Sequence, residues 1–200
     1  MAHVVLLTHE AIYRGSLCLT TSGGQLLRFL DVLRAPQRVL PSSMGASPSL
    51  HLTDPTRQCR RTGGIDRPPG PVYLRAASVL AGYDLDPRPR DLSKVVYEQR
   101  LPRRSTSRVV LRLRGELRLE GTITGGNRAL DSLYADTFVA CTDVLLAPPT
   151  PLGKTQSVPF LAVNTSEVES ICVVDARLRP RIVETADDDT RVDLPVALGA

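Results

Sequence analysis

Catalysis and ligand binding need nucleophiles, bases, metal ligands or phosphate cradles at workable spacings, and this chain offers few. Its four cysteines, Cys18, Cys59, Cys141 and Cys172, include no C-x-x-C pair and no zinc-knuckle spacing. Cys18, Cys141 and Cys172 lie in apolar or β-like surroundings, where a free thiol behaves as a small hydrophobe. The three histidines, His3, His9 and His51, match no metal-binding spacing, and His3 and His9 flank a strand-like run as edge residues would. None stands near a candidate nucleophile, and there is no G-x-S-x-G elbow. Gly153-Lys154-Thr155 matches the end of a phosphate-binding loop, but Pro148 occupies the position of its first glycine and no helix pattern follows. Glu116 and Glu120 share an alternating face with Arg112, Arg114 and Arg118, which fits a cross-strand charge ladder better than an acid/base pair. Gly23-Gly24 follows a strand pattern and ordinarily makes a turn, although a Gly-Gly pair before a helix can also bind an anion. These residues imply no catalytic group, no metal site and no cofactor.

Arginine is the other chemistry-bearing residue. The net charge is +4, and of 25 basic residues only Lys94 and Lys154 are lysine. Partition changes what that charge means. Residues 1–86 carry nine basic against six acidic side chains, and 87–108 carry seven against two. Residues 109–175 carry five against eight, and 176–200 four against five. The positive charge therefore concentrates in the 87–108 linker and in a loop holding Arg57, Arg60, Arg61 and Arg67, not on one folded face. The candidate anion or nucleic-acid contacts are Arg57, Arg60, Arg61, Arg103, Arg104 and Arg108, because guanidinium forks suit phosphate. Aromatic residues make up only 4% and there is no Trp, so a base-stacking platform has little material.

The elements that must carry these residues repeat. Val4-Val5-Leu6-Leu7, running on to Gly15 and Leu17, has a counterpart in Val109-Val110-Leu111-Arg112, running on to Gly121 and Ile123, once one residue is inserted. A Gly-Gly pair follows each, Gly23-Gly24 and Gly125-Gly126. Later, Pro71 to Ala76 resembles Val158 to Val163, and Ser78-Val79 matches Glu167-Val168. From Val109 to Ile123 apolar and polar residues alternate, the period of an antiparallel sheet with one wet face. Gly115 marks a turn or bulge in that run, and Gly121 a close backbone approach. Ser22 and Gln25 form a capping box ahead of Leu26 to Leu33, and Asn127 is placed to start an equivalent turn of helix. Pro41–Gly70 is rich in turn residues and reads as a mobile insertion.

The spaced run Val109, Leu111, Leu113, Gly115, Leu117, Leu119, Gly121, Ile123 resembles the first motif of Sm-like small β-barrels. Pro159-Phe160-Leu161-Ala162-Val163-Asn164, with Val168 and Ile171 behind it, resembles their second motif, and is most similar to bacterial Sm-like domains of uncharacterised function. The glycine interval is one residue longer than the usual Sm pattern. Asp131 and Asn164 are the nearest counterparts of the Asp and Asn that contact RNA bases in Sm proteins.

The expectation is a mainly β protein of two tandem Sm-like small β-barrel or split-barrel lobes, each with a short helix. Lobe one spans 1–86 with the insertion 41–70, an Arg-rich linker spans 87–108, lobe two spans 109–175, and an acidic tail spans 176–200. No apolar run is long enough to cross a bilayer and no export signal is visible, so a cytoplasmic location is expected. The expected role is a non-catalytic binding or assembly module that engages a protein partner or self-assembles. The competing reading is an RNA- or DNA-binding protein using the Arg-rich loop and linker.

Overall fold

Alternating residues become strands along most of the chain. The computed structural model describes residues 1–39, 49–86, 106–124, 136–147 and 155–174. Strands β1 (Ala2–Thr8) and β2 (Ala11–Leu17) form a hairpin, followed by helix α1 (Phe29–Arg34) and a 3-10 turn at Pro36–Arg38. Strands β3 (Ser49–Cys59), β4 (Ile65–Asp66), β5 (Val72–Arg75) and β6 (Val79–Asp84) come next, with a 3-10 turn at Ala76–Ser78 between the last two. The later part holds β7 (Thr106–Leu113), β8 (Leu117–Thr124), β9 (Phe138–Ala147), β10 (Gln156–Asn164), a 3-10 turn at Thr165–Glu167, and β11 (Val168–Val173). Among the described residues no helix is long and apolar enough to cross a membrane.

All these strands join one antiparallel sheet of eleven, in the order β11-β7-β8-β9-β10-β6-β1-β2-β3-β4, with β5 also pairing β3. The mainly β expectation holds; a pair of closed barrels does not form among the described residues. The reason is the β10–β6 pairing, which carries the sheet onward from the later strands into the earlier ones. Residues 2–84 supply the order β6-β1-β2-β3-β5, and residues 106–173 supply β11-β7-β8-β9-β10.

Two apolar clusters flank this sheet. One gathers Leu111, Leu113, Leu117, Leu119, Ile123, Val144, Leu146 and Leu161, and also takes Val5, Leu7, Leu80, Ala81 and Tyr83 from the central strands. The other packs Val4, Leu6, Leu17, Leu19, Leu50 and Leu52 against Phe29, Val32 and Leu33 of α1. Every residue of β6 is buried, so it reads as an apolar run where an outer strand would alternate. Each fully buried Leu or Val adds about 1.5–3 kcal/mol of transfer free energy.

Two glycines set the bends. Gly15 pairs with Val4, and Gly121 pairs with Val109. On the far side of each, the ladder shifts register, between Arg14 and Ser16 and between Glu120 and Thr122. The opposing strands absorb the extra residue at Asp54 and Asp143, with φ of 50° and 51°. A Cβ at Gly15 would lie 2.9 Å from the Thr53 carbonyl oxygen, and one at Gly121 3.0 Å from Val144 Cγ2. The β1–β2 turn has two residues, His9 and Glu10, whereas the β7–β8 turn has three, Arg114 to Glu116, with Gly115 and Glu116 at positive φ. The second hairpin is therefore one residue longer at its turn than the first.

Four expectations change. The helix starts at Phe29, not Ser22, because Thr20 bridges Leu26 and the intervening Gly-Gly closes a small hairpin, with Gly24 N–H donating to the Thr21 carbonyl. Most of Pro41–Gly70 that is described is strand: β3 runs eleven residues, its alternation masked by Asp54-Pro55 at the bulge. Arg108 belongs to β7, not to a linker. Counting back from the 3-10 turns sets Leu74 against Val163, two residues from the sequence match of Leu74 with Leu161; a shift of two keeps each side chain on its face. Asn127, Asp131, the rest of the linker and the 176–200 tail lie outside the described residues.

Gly15→Ala and Gly121→Ala should each lower stability by about 1–3 kcal/mol in urea melts, since a backbone or packed side chain must move. Gly70→Ala, where an added Cβ meets nothing within 4 Å, should leave the midpoint unchanged.

Candidate functional site

The arginines singled out by composition do not gather into one anion site. Arg57, on β3, donates to Asp66 of β4 at 3.2 Å, a cross-strand pair. Arg60 donates to the carbonyls of Thr8 at 3.0 Å and Gly115 at 2.8 Å, tying the end of the first hairpin to the β7–β8 turn. Burial lowers its pKa, and Glu116 partly opposes that effect. Arg61 is exposed in the turn after β3. Arg108 forms an ion pair with Glu120, whose side chain is nearly buried. Arg103 and Arg104 fall outside the described residues. Three of the six candidates are thus engaged within the fold, and their sequence positions gave no sign of it because their partners are distant or on other strands.

Polar contacts concentrate instead where residues 1–86 meet the later strands. His9 Nε2 lies 3.1 Å from Glu167 of the third 3-10 turn, a contact that no histidine spacing signals. The Arg114 N–H donates to the Glu167 carbonyl. Arg34, in the last turn of α1, donates to the Phe138 carbonyl and to Asp136 at 2.7 Å. Gln156 donates to the Tyr83 hydroxyl at 2.7 Å. Asn164, 3% exposed, donates to the Val79 carbonyl at 2.9 Å and accepts from the Ser166 N–H and hydroxyl, which caps the turn into β11. As one of the two residues set against the Sm signature, Asn164 is spent inside the protein. The charge ladder is partial: Arg112 sits directly across from Arg118, and its acidic neighbour is Glu169 at 3.8 Å.

At the centre of this contact β10 pairs with β6, Ala162 opposite Gly82 and Val163 opposite Ala81. The outermost strands, β4 and β5 along successive parts of β3 at one end and β11 at the other, each pair on one side only among the described residues. Both present apolar surface, Tyr73 at 64% and Val173 at 52% exposure. Tyr73 stacks on His51 of β3 with ring centroids 4.6 Å apart. A cleft between α1 and β3, lined by Cys18, Val32, Val39 and His51 among others, has about 10 Å³ of room, enough for one water. No group of three or more metal-ligating side chains occurs among the described residues.

No protein-family model matches the chain, and searches of curated proteins and of solved structures found no match.

The cysteines divide by environment. Burial pushes the Cys141 thiol up to about 12, and hydrogen bonding with Thr62, with Arg57 nearby, holds the Cys59 thiol below its ordinary value. Cys172 lies on a strand, β11, as β-like surroundings imply, but is exposed and not packed as a small hydrophobe. In the native protein a disulfide reagent should modify Cys59 and Cys172 within minutes, and Cys59 should stay reactive at a lower pH than free cysteine does. Cys141 should react only after denaturation, as peptide mapping of the labelled protein will show.

Proposed function

We propose that this chain is a non-catalytic assembly module, built from two tandem Sm-like lobes of the split-barrel kind, that joins further copies of itself through its sheet edges. Several features support the duplicated reading. Once the two-residue β4 is set aside, each half has the order fifth-first-second-third-fourth strand, a glycine opposite a valine, a bulge with an aspartate at positive φ, and a 3-10 turn before its last strand. Thr53-Asp54 and Thr142-Asp143 occupy matching bulges, a sequence echo that adds to the motif resemblance.

The observation that carries the assembly reading is the β10–β6 junction. There the fourth strand of one half pairs with the fifth strand of the other, through backbone groups and small residues. Among the described residues the same two types of edge recur unpaired at the sheet ends, β5 as a fourth strand and β11 as a fifth. Unpaired strand edges favour addition of another strand. A head-to-tail joint of this kind is heterologous, so it closes into a ring or extends as a filament.

Light scattering on the purified full chain, at low and high salt and over a range of concentrations, tests this together with the 260/280 nm ratio. Nucleic-acid-free species larger than one chain, growing with concentration at both salts, are expected. A monomer throughout would overturn self-assembly. Nucleic acid that copurifies and dissociates steeply with salt would move the assignment to the RNA- or DNA-binding reading.

A further inference from the structure

We infer the register and the facing residues of the joint between copies: β5 of one chain pairs antiparallel with β11 of the next, Tyr73 opposite Ile171, Leu74 opposite Ser170 and Val72 opposite Cys172. This rests on the assembly reading above and specifies it. The register comes from the internal junction. Leu74 and Val163 each stand two residues before a 3-10 turn, and Ala81 and Ser170 each stand three residues after one. The ladders on the opposite side of β6 and β11 agree with that correspondence. Thr8 pairs with Val79 and Leu7 with Ala81, skipping Leu80; Leu113 pairs with Val168 and Arg112 with Ser170, skipping Glu169. Transferring the observed pair Val163–Ala81 therefore gives Leu74–Ser170, and Ala162–Gly82 gives Tyr73–Ile171.

Chemistry on the two edges fits a second copy. One step further, Arg75 of β5 meets Glu169 of β11, exposed side chains of opposite charge, with Glu169 also 3.8 Å from Arg112. Tyr73 would be covered by the incoming strand. Leu74 and the half-buried Val72 lie on the face of the apolar cluster around α1, and Ser170 and Cys172 would close over that face as Ala81 and Tyr83 close over the later cluster.

The joint between copies is nonetheless more polar than the internal one. Val5, Leu7, Ala81 and Tyr83 all enter the cluster of the later strands. Their counterparts on the outer edge are Val110, Arg112, Ser170 and Cys172. Copies therefore join reversibly, in proportion to concentration, whereas the two halves of one chain remain fixed together.

A cysteine pair reads this register directly, because directly opposed antiparallel residues fall within disulfide reach. Val72→Cys in the full chain, oxidised with diamide, should give dimers and higher bands on a non-reducing gel. Those bands should vanish in V72C combined with Cys172→Ser. Tyr73→Cys, one step out of register and facing the other side, should give few. Arg112→Leu, which restores the apolar counterpart of Leu7, should move the association midpoint to a roughly tenfold lower concentration, the effect of one buried aliphatic side chain. If light scattering shows oligomers but V72C fails to cross-link to Cys172, the register is wrong and the assembly reading stands. If no oligomer forms under any condition, both fail.

Discussion

A side chain at residue 82 has nowhere to go. Its Cβ would sit 2.7 Å from Leu6 Cδ2, 3.1 Å from Phe29 Cζ and 3.2 Å from the Val5 carbonyl oxygen, so only glycine lets β6 lie flush between β1 and α1. The same residue is the partner of Ala162 on β10. A strand this closely held on one side is a rigid template on the other, and the continuity of the sheet from the later strands to the earlier ones passes through it. Neighbouring Ala81 and Ala162 keep the contact low, so backbone hydrogen bonds and the flanking Leu80 and Tyr83 set its geometry.

Around that template the polar contacts act as guides. Arg60 and His9 hold the β7–β8 and 3-10 turns, Arg34 holds the start of β9, and Asn164 spans from its own turn to the Val79 carbonyl. Three of these use backbone carbonyl acceptors, which cannot rotate away as carboxylates can. A chain with excess arginine thus uses several of them to orient strands, which explains why its formal charge is a poor guide to what it binds. The exposed ion pairs add little stability on their own.

Legibility in the sequence followed period. The alternation of Val109 to Ile123 gave β7 and β8 and the roles of Gly115 and Gly121, because a two-residue period survives without tertiary context. Strand β3 was hidden, since its bulge places Asp54 and Pro55, two turn-forming residues, in mid-strand; nothing local distinguishes a bulge from a loop. The helix start was misplaced because Ser22 and Gln25 satisfy a capping box while the Thr20–Leu26 bridge uses the same segment as a hairpin. The partners of Arg60, His9 and Arg34 lie 55, 158 and 104 residues away, beyond any spacing rule. Only pairing among strands brings them together.

The burial of β6 on both faces has a consequence during synthesis. Val5, Leu7, Ile12, Leu80, Ala81 and Tyr83 complete a cluster whose other members begin at Val109. When the first 86 residues have left the ribosome, that apolar face and the unpaired edge of β6 stand open until β10, some 80 residues later, is made. At roughly 5–20 residues per second that interval lasts several seconds. An emerging chain is then most open to misassociation or to chaperone capture at the strand that later becomes its most protected.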